Sequence, residues 1–249
     1  MESNSRPRRP FPPAPETARG GARSWLTLVV LAALVVAAFL GAGRPDGGGG
    51  PRQPALVVGD SLVTVAARAT DTGPVHLVGF PGLDPGVYAD ASSPLISDDL
   101  AAAGRPRTVV LNWNGNNPGG LVGTQLVAAY RTELTAQIDW YLRHGVTRIV
   151  LAAAVPSSFN STSGQVDWTT PASRLPGWML GSARLNDLYR ELADESGGRV
   201  RYSERAARAI HPAMAFNTEL DGHRCIVDFI HPAPYCAKRY AHALASLTA

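Results

Sequence analysis

The sequence predicts an α/β fold, a three-layer α/β/α sandwich around a five-stranded parallel sheet, preceded by one N-terminal transmembrane helix. Three observations predict it. After residue 54, short β-rich runs alternate with longer amphipathic stretches, and the short runs are apolar throughout instead of alternating with polar residues. Residues 25–43 carry no charge. Uniformly apolar strands separated by helices are typical of a parallel sheet covered on both faces. A chain of 249 residues that is 45% hydrophobic and 17% charged is also not a disordered or collagen-like protein as a whole.

The first 43 residues predict a membrane anchor. Residues 1–24 form a basic tail with five arginines and two glutamates, an excess that equals the whole net charge of +3, so the charge does not indicate a nucleic-acid partner. Residues 25–43 would form a helix of about 28 Å, close to the ~30 Å apolar core of a bilayer. Arginine-rich flanks stay cytoplasmic, so the remaining chain is expected to be extracytoplasmic in the cell membrane. Cleavage near residue 43, which would give a secreted protein, is the alternative.

Residues 44–54 are a Gly/Pro-rich linker with four consecutive glycines, and residues 55–249 form the folded domain. The predicted strands are the short β-rich runs Ala55–Val58, Val75–Gly79, Thr108–Leu111, Thr147–Ala153 and Arg199–Tyr202. The predicted helices are the amphipathic stretches Leu62–Ala69, Tyr88–Ala103, Leu121–His144, Ala183–Ser196 and Pro234–Leu247. In the third helix, one face carries side chains at spacings of three and four: Leu126, Ala129, Tyr130, Leu134, Gln137, Ile138 and Tyr141. Ligands bind at the carboxyl ends of such strands, so the loops there are the candidate sites.

Ser61 follows the first strand in the run Gly59-Asp60-Ser61-Leu62. A serine at a strand-to-helix junction exposes its hydroxyl at the rim of the sheet. The run is not the G-x-S-x-G nucleophile elbow, because position 63 is valine. Taken alone, Ser61 could simply be the N-cap of the next helix.

Asp228 and His231 stand three residues apart just before the last helix. In a turn, this spacing lets the carboxylate accept a hydrogen bond from one ring nitrogen, so that the other nitrogen faces outward as a base. Pro232 restricts the backbone of His231. An Asp–His pair without a role is the alternative, but together with Ser61 the chain order matches a nucleophile-first catalytic triad.

With these residues in place, the domain resembles the SGNH or GDSL-type serine hydrolase superfamily, which has a flavodoxin-like fold. The resemblance implies acyl transfer through a covalent ester on Ser61, with His231 as base and Asp228 as the acid that orients it. It implies an oxyanion hole formed by the backbone N–H groups of Ser61 and Gly82 and by the Asn116 side chain. Gly79 competes with Gly82 for this role.

The oxyanion loop departs from the family pattern, which reads Gly-x-Asn-Asp. Here the stretch is Asn114-Gly115-Asn116-Asn117, so Asn114 or Asn117 could supply the amide instead. Trp113, beside this loop, could line an acyl pocket or belong to the sheet core. Residues 157–176 are rich in Ser, Thr and Gly and predict a rim or lid over the site.

Cys225 and Cys236 are the two cysteines of the chain, and they flank Asp228 and His231. In an oxidising compartment such a pair is expected to form a disulfide, with two buried free thiols as the alternative. The implied reaction needs no metal or cofactor. A zinc site formed by Asp221, His223, Asp228 and His231 is a rival arrangement, but it leaves the Gly-Asp-Ser loop unexplained.

Three functions fit these observations. The first is a membrane-tethered esterase or deacetylase acting on ester-bearing small molecules, lipids or glycans of the bacterial cell envelope. The second is an envelope glycan O-acyltransferase that uses the same triad. The third is a catalytically inactive domain of this fold that binds a glycan, which the altered Asn114–Asn117 loop makes conceivable.

Overall fold

The structure is a computed structural model that describes residues 54–90, 92–115, 124–155, 177–212, 219–226 and 231–249. The basic tail, the predicted anchor and nearly all of the linker lie outside these ranges and stay predictions. Within the described ranges, no helix is both long enough and apolar enough to cross a bilayer.

A five-stranded, all-parallel sheet forms the centre of the domain, as predicted. Its neighbours follow the order β2-β1-β3-β4-β5. The strands are β1 Ala55–Gly59, β2 Val75–Gly79, β3 Thr108–Asn112, β4 Arg148–Ala152 and β5 Val200–Ser203. The apolar side chains of β1 and β3 are buried on both faces of the sheet, which explains why these strands show no polar alternation.

Seven helices occur in the described part of the chain, and they cover the two faces of the sheet. They are α1 Ser61–Ala69, α2 Pro85–Tyr88, α3 Leu95–Ala102, α4 Thr124–Arg143, α5 Gly177–Glu195, α6 Arg205–Ile210 and α7 Pro234–Ser246. One core layer is formed by α1, α6 and α7, and the other by α2 to α5. In α4 the predicted apolar face is buried from Tyr130 to Tyr141, although Ala129 is exposed.

The structure corrects two predictions of secondary structure. The helix predicted over Tyr88–Ala103 begins only at Leu95, because Pro94 lacks the N–H that a continuous helix needs and Asp90 binds the Ser92 N–H in a turn. Tyr88 is the last residue of the separate helix α2. The segment between β5 and α7, where no element was predicted, contains α6 and a hairpin of β6 Glu219–Leu220 and β7 His223–Arg224.

Candidate active site

The candidate site lies where the strand order reverses direction. The chain leaves β1 toward β2 on one side, whereas β3 pairs with β1 on the other side. The helices that follow β1 and β3 pack on opposite faces of the sheet, and the carboxyl edge at such a point is where open α/β sheets bind ligands. Ser61 follows β1 and Asn114 follows β3, so both lie at this edge.

Ser61 is the first residue of α1, and it is not the cap of that helix. Asp60 is the N-cap, because its Oδ1 accepts a hydrogen bond from the Leu62 N–H at 3.1 Å. The Ser61 hydroxyl is therefore not used for capping. The Ser61 N–H lies in the first helical turn, where backbone N–H groups have no partner inside the helix and the helix dipole is positive.

The Ser61 hydroxyl meets the His231 imidazole. The distance between Ser61 Oγ and His231 Nε2 is 2.9 Å, and both residues are half-buried. These residues are 170 positions apart in the chain. This pair was predicted from the sequence, and the geometry is that of a hydroxyl nucleophile beside a general base.

Three contacts join Cys225 and Ile226 to the residues that follow His231. Ile226 and Pro232 form a β-bridge, and the Ala233 N–H donates to the Cys225 carbonyl oxygen at 2.6 Å. A disulfide joins Cys225 to Cys236 in α7, with a Cα–Cα distance of 5.2 Å. The predicted disulfide is thus present, and the alternative of two free thiols is wrong.

Asp60 is a fully buried carboxylate beside Ser61. Its oxygens accept hydrogen bonds from the Asn114 N–H at 2.7 Å and from the Asn114 side-chain amide at 3.1 Å. Burial raises the pKa of Asp60, while the hydrogen bonds from Asn114 and Leu62 and the charge of the nearby His231 oppose that rise. The Asn114 amide oxygen in turn accepts the Val155 N–H at 2.8 Å. Because its side chain is bound on both ends, Asn114 is not available to a substrate oxyanion.

Comparison with known proteins gives a fold. No protein-family model matches the sequence, and no curated protein matches it either. Three similar solved structures are a protein provisionally described as a platelet activating factor from Streptococcus pneumonia, a provisionally described acylhydrolase from Bacteroides fragilis, and a provisionally described SGNH hydrolase from Slackia heliotrinireducens. The TM-scores are 0.54, 0.52 and 0.52 at 16%, 10% and 16% identity. In the same order, the matches cover 93%, 94% and 79% of this chain, and 100%, 98% and 98% of the three solved structures.

The chain has the SGNH hydrolase fold. On this fold the pair of Ser61 and His231 occupies the carboxyl edge of the sheet, at the point where β1 and β3 are neighbours.

Gly82 and Gly79, the two candidate backbone donors in the SGNH fold, have different surroundings. Gly82 lies in an exposed turn closed by a hydrogen bond from the Leu83 N–H to the Phe80 carbonyl oxygen at 3.1 Å. Pro81 precedes it, and its φ of +80° is that of the third residue of a type II turn. Gly79 ends β2 against α1, where a Cβ would lie 2.1 Å from the Thr64 nitrogen, so packing alone explains that glycine.

Several predicted site residues lie outside the described residues. They are the acid Asp228, the amide donor Asn116 with its neighbour Asn117, and the predicted rim over 157–176. Their roles stay predictions. Trp113 is described, and it belongs to the core: its ring is fully buried and its Nε1–H donates to Gln137 Oε1 at 2.9 Å.

Where the structure describes them, the residues of the rival zinc site make other contacts. Asp221 accepts hydrogen bonds from Tyr235 and Arg239, and the His223 ring stacks on Tyr235 with centroids 4.1 Å apart. Among the described residues, no group of three or more His, Cys, Asp or Glu side chains could hold a metal ion.

Sequence reasoning missed the polar residues beneath the site, namely Asp60, Asn112 and Tyr240. Asp60 stood in the Gly-Asp-Ser run, but only its neighbour was considered. Asn112 is the last residue of a strand whose other buried residues are apolar, which is the one signal that could have singled it out. Tyr240 sits in a helix whose other buried residues are apolar, and nothing in its sequence context distinguishes it.

The disulfide gives a testable prediction. Reduction, or the Cys225→Ser/Cys236→Ser pair, is expected to lower kcat and leave the far-UV dichroism unchanged, because the bridge braces the His231 turn while the sheet has its own core. Closing so short a loop contributes about 3 kcal/mol, or roughly 6–12 °C in Tm for a domain of this size. The measurements are p-nitrophenyl acetate turnover and thermal melting, with alkylation and mass spectrometry to verify the thiol state.

The matched control is the double-serine variant, on which reductant should have no effect. Unchanged kcat and Tm in wild-type protein whose two thiols have been shown to be free would contradict the prediction.

Proposed function

We propose that this chain is an extracytoplasmic, membrane-tethered serine esterase or deacetylase. The observation that carries the proposal is the 2.9 Å contact between Ser61 Oγ and His231 Nε2 at the carboxyl edge of the SGNH fold. A capping serine or a surface histidine would not need this contact, and Asp60 already performs the capping. The chemical class is therefore acyl transfer from an ester through a covalent intermediate on Ser61.

The first half of the proposed reaction forms the acyl-enzyme. His231 Nε2 accepts the Ser61 hydroxyl proton while Oγ attacks the ester carbonyl carbon, and the carbonyl oxygen becomes an oxyanion. The imidazolium then gives its proton to the leaving alcohol as the carbon–oxygen bond to that alcohol breaks. In the second half, water attacks the acyl group with His231 again as base, and Ser61 Oγ leaves with the proton. Asp228 would hold the imidazole in the correct tautomer.

Three donors would stabilise the oxyanion. The Ser61 N–H stands at the N-terminus of α1, where the helix dipole adds about half a positive charge. The Gly82 N–H makes no hydrogen bond within the part of the chain that the structure describes, so it is free to donate. The Asn116 side chain is the proposed third donor, which fits with the Asn114 amide being bound to Asp60 and Val155.

The proposed location rests on the N-terminal sequence and on the bridge. An uncharged stretch at 25–43 behind an arginine-rich tail favours an uncleaved anchor with the domain outside. A disulfide fits this location, because thiols are kept reduced in the cytoplasm. Envelope glycans, lipids and ester nutrients are the substrates that such an enzyme would meet.

One experiment tests activity and location together. A charged fluorophosphonate that does not cross membranes is added to intact spheroplasts of a bacterial host that expresses the full chain. We expect it to label Ser61, and we expect the labelled chain to stay in the membrane fraction after a high-salt wash. The Ser61→Ala variant should remain unlabelled. Adding a sugar acceptor to a p-nitrophenyl acetate assay then distinguishes transfer to a hydroxyl from hydrolysis.

Each part of the proposal can fail separately. Labelling only after lysis would refute the extracytoplasmic location and leave the esterase standing. A labelled, shorter, soluble form that starts near residue 43 would replace the anchor by a cleaved signal. A folded wild-type chain that the probe never labels would refute the covalent mechanism and favour the glycan-binding alternative.

A further inference from the structure

Three buried polar residues lie directly beneath the candidate site. Asp60, Asn112 and Asn114 each expose 1% or less of their surface, in a core whose other members are mostly apolar. Burying a polar side chain costs free energy unless its hydrogen bonds are made, so a cluster of this kind is stable only when its geometry is well defined.

Asn114 connects the ends of three strands. It binds the Asp60 carboxylate after β1 through two donors, at 2.7 and 3.1 Å. Its amide also donates to the Asn112 carbonyl oxygen at the end of β3, at 3.2 Å. On the other side, its amide oxygen accepts the Val155 N–H after β4, at 2.8 Å. A single side chain thus fixes the loop that carries Ser61 against the loops after β3 and β4.

Tyr240 extends this cluster to the helix that follows the base. Its hydroxyl donates to Asn112 Oδ1 at 2.7 Å, and the side chain is fully buried. Tyr240 belongs to α7, which begins three residues after His231 and is bonded to the His231 turn through Cys236. Hydrogen bonds therefore lead without a break from Asp60, the neighbour of Ser61, to the helix behind His231.

This path joins the two halves of the catalytic pair. Ser61 and His231 come from opposite ends of the domain sequence, and proton transfer between them requires a hydrogen-bond distance. A displacement of 1 Å can cost on the order of 10²-fold in rate. We propose that Asn114 and Tyr240 are positioning residues. They hold the Ser61 loop and the segment that carries His231 at the relative position that catalysis needs. The inference rests on the proposed function, since it concerns the geometry of that pair.

The test compares two buried tyrosines. Tyr240→Phe removes only the hydroxyl that reaches Asn112, and Tyr141→Phe removes a buried hydroxyl that lies 3.1 Å from the Tyr88 hydroxyl in the other core layer. Tyr141 lies in α4, and its hydroxyl contacts the Tyr88 hydroxyl rather than a member of the Asp60, Asn112 and Asn114 cluster. We expect similar losses of Tm in the two variants. Only Tyr240→Phe is expected to lower kcat for p-nitrophenyl acetate, by about tenfold with KM within about twofold, since a shift well below 1 Å costs less than the full penalty.

A second variant keeps the inference testable through a different residue. Asn114→Asp preserves shape but replaces the amide donor that faces Asp60 with a carboxylate oxygen, so it should open the contact between the loops. We expect a drop in kcat of about 10²-fold, again with little change in KM. The rate of Ser61 labelling by a fluorophosphonate should fall in parallel in both variants.

The outcomes separate this inference from the proposed function. If wild-type Ser61 is labelled and Tyr240→Phe is labelled and turns over as fast as wild type, the positioning role is wrong and the esterase stands. An equal loss of kcat in Tyr240→Phe and Tyr141→Phe would also refute the positioning role, because it would reflect stability alone. If folded wild-type protein is not labelled at all, the proposed function fails and this inference fails with it.

Discussion

We expect Ser61→Ala and His231→Ala each to reduce kcat for p-nitrophenyl acetate by about 10⁵–10⁶-fold, and the double variant to be no slower than either single variant. The reason is that Oγ and Nε2, 2.9 Å apart, act as a unit: without the base the hydroxyl is a weak nucleophile, and without the hydroxyl the base has no proton to accept. Steady-state and single-turnover kinetics on purified variants measure the effect.

Two matched variants control for the loss of a serine or a histidine as such. Ser97→Ala removes an exposed hydroxyl that donates to the Pro94 carbonyl oxygen, and His242→Ala removes an exposed ring from α7. Both should retain wild-type kcat. Turnover above a few per cent of wild type in Ser61→Ala would show that no covalent ester on Ser61 is needed.

The second large effect is expected at the oxyanion loop. Asn116→Ala should lower kcat by about 10²–10³-fold, or roughly 3–4 kcal/mol of barrier, with a much smaller change in KM. The hydrogen bond from this amide strengthens only when the carbonyl oxygen becomes an anion, so its loss affects the transition state more than the bound ester.

Asn117→Ala is the control for this prediction, since it removes the adjacent amide from the same loop. It should keep kcat within about threefold of wild type, because the prediction assigns the oxyanion donor to Asn116 and not to Asn117. A large loss in Asn117→Ala together with a small loss in Asn116→Ala would show that the donor is one residue further along.

The sheet and the contact between Ser61 and His231 could be predicted because the signals are local. The Ala55–Val58 and Thr108–Leu111 runs are apolar and β-branched, and such runs between helices have few alternatives to a buried parallel strand. Ser61 and His231 each stand at or just before the start of a helix, so the topology alone brings them to one edge of the sheet. The cysteines could be paired because the chain has two.

What the sequence did not reveal depends on contacts between distant segments. Asn112 and Tyr240 are 128 residues apart, and neither shows in its own neighbourhood that it will meet the other. Ser61 was the cap that the sequence suggested, whereas the structure shows Asp60 both as the cap of α1 and as the hydrogen-bond partner of Asn114. The helix predicted over Tyr88–Ala103 begins only after Pro94, whose effect the sequence prediction did not take into account.

The separation of roles between Asp60 and Ser61 has a practical consequence for finding the natural ester. Because Asp60 alone caps α1, a chain that lacks the Ser61 hydroxyl keeps the first turn of that helix and the loop contacts through Asn114. Under the proposed function, such a chain would still bind its ester but would have no oxygen with which to cleave it. Incubated with an extract of envelope glycans and lipids, the inactive protein becomes a trap that retains the uncleaved compound for identification.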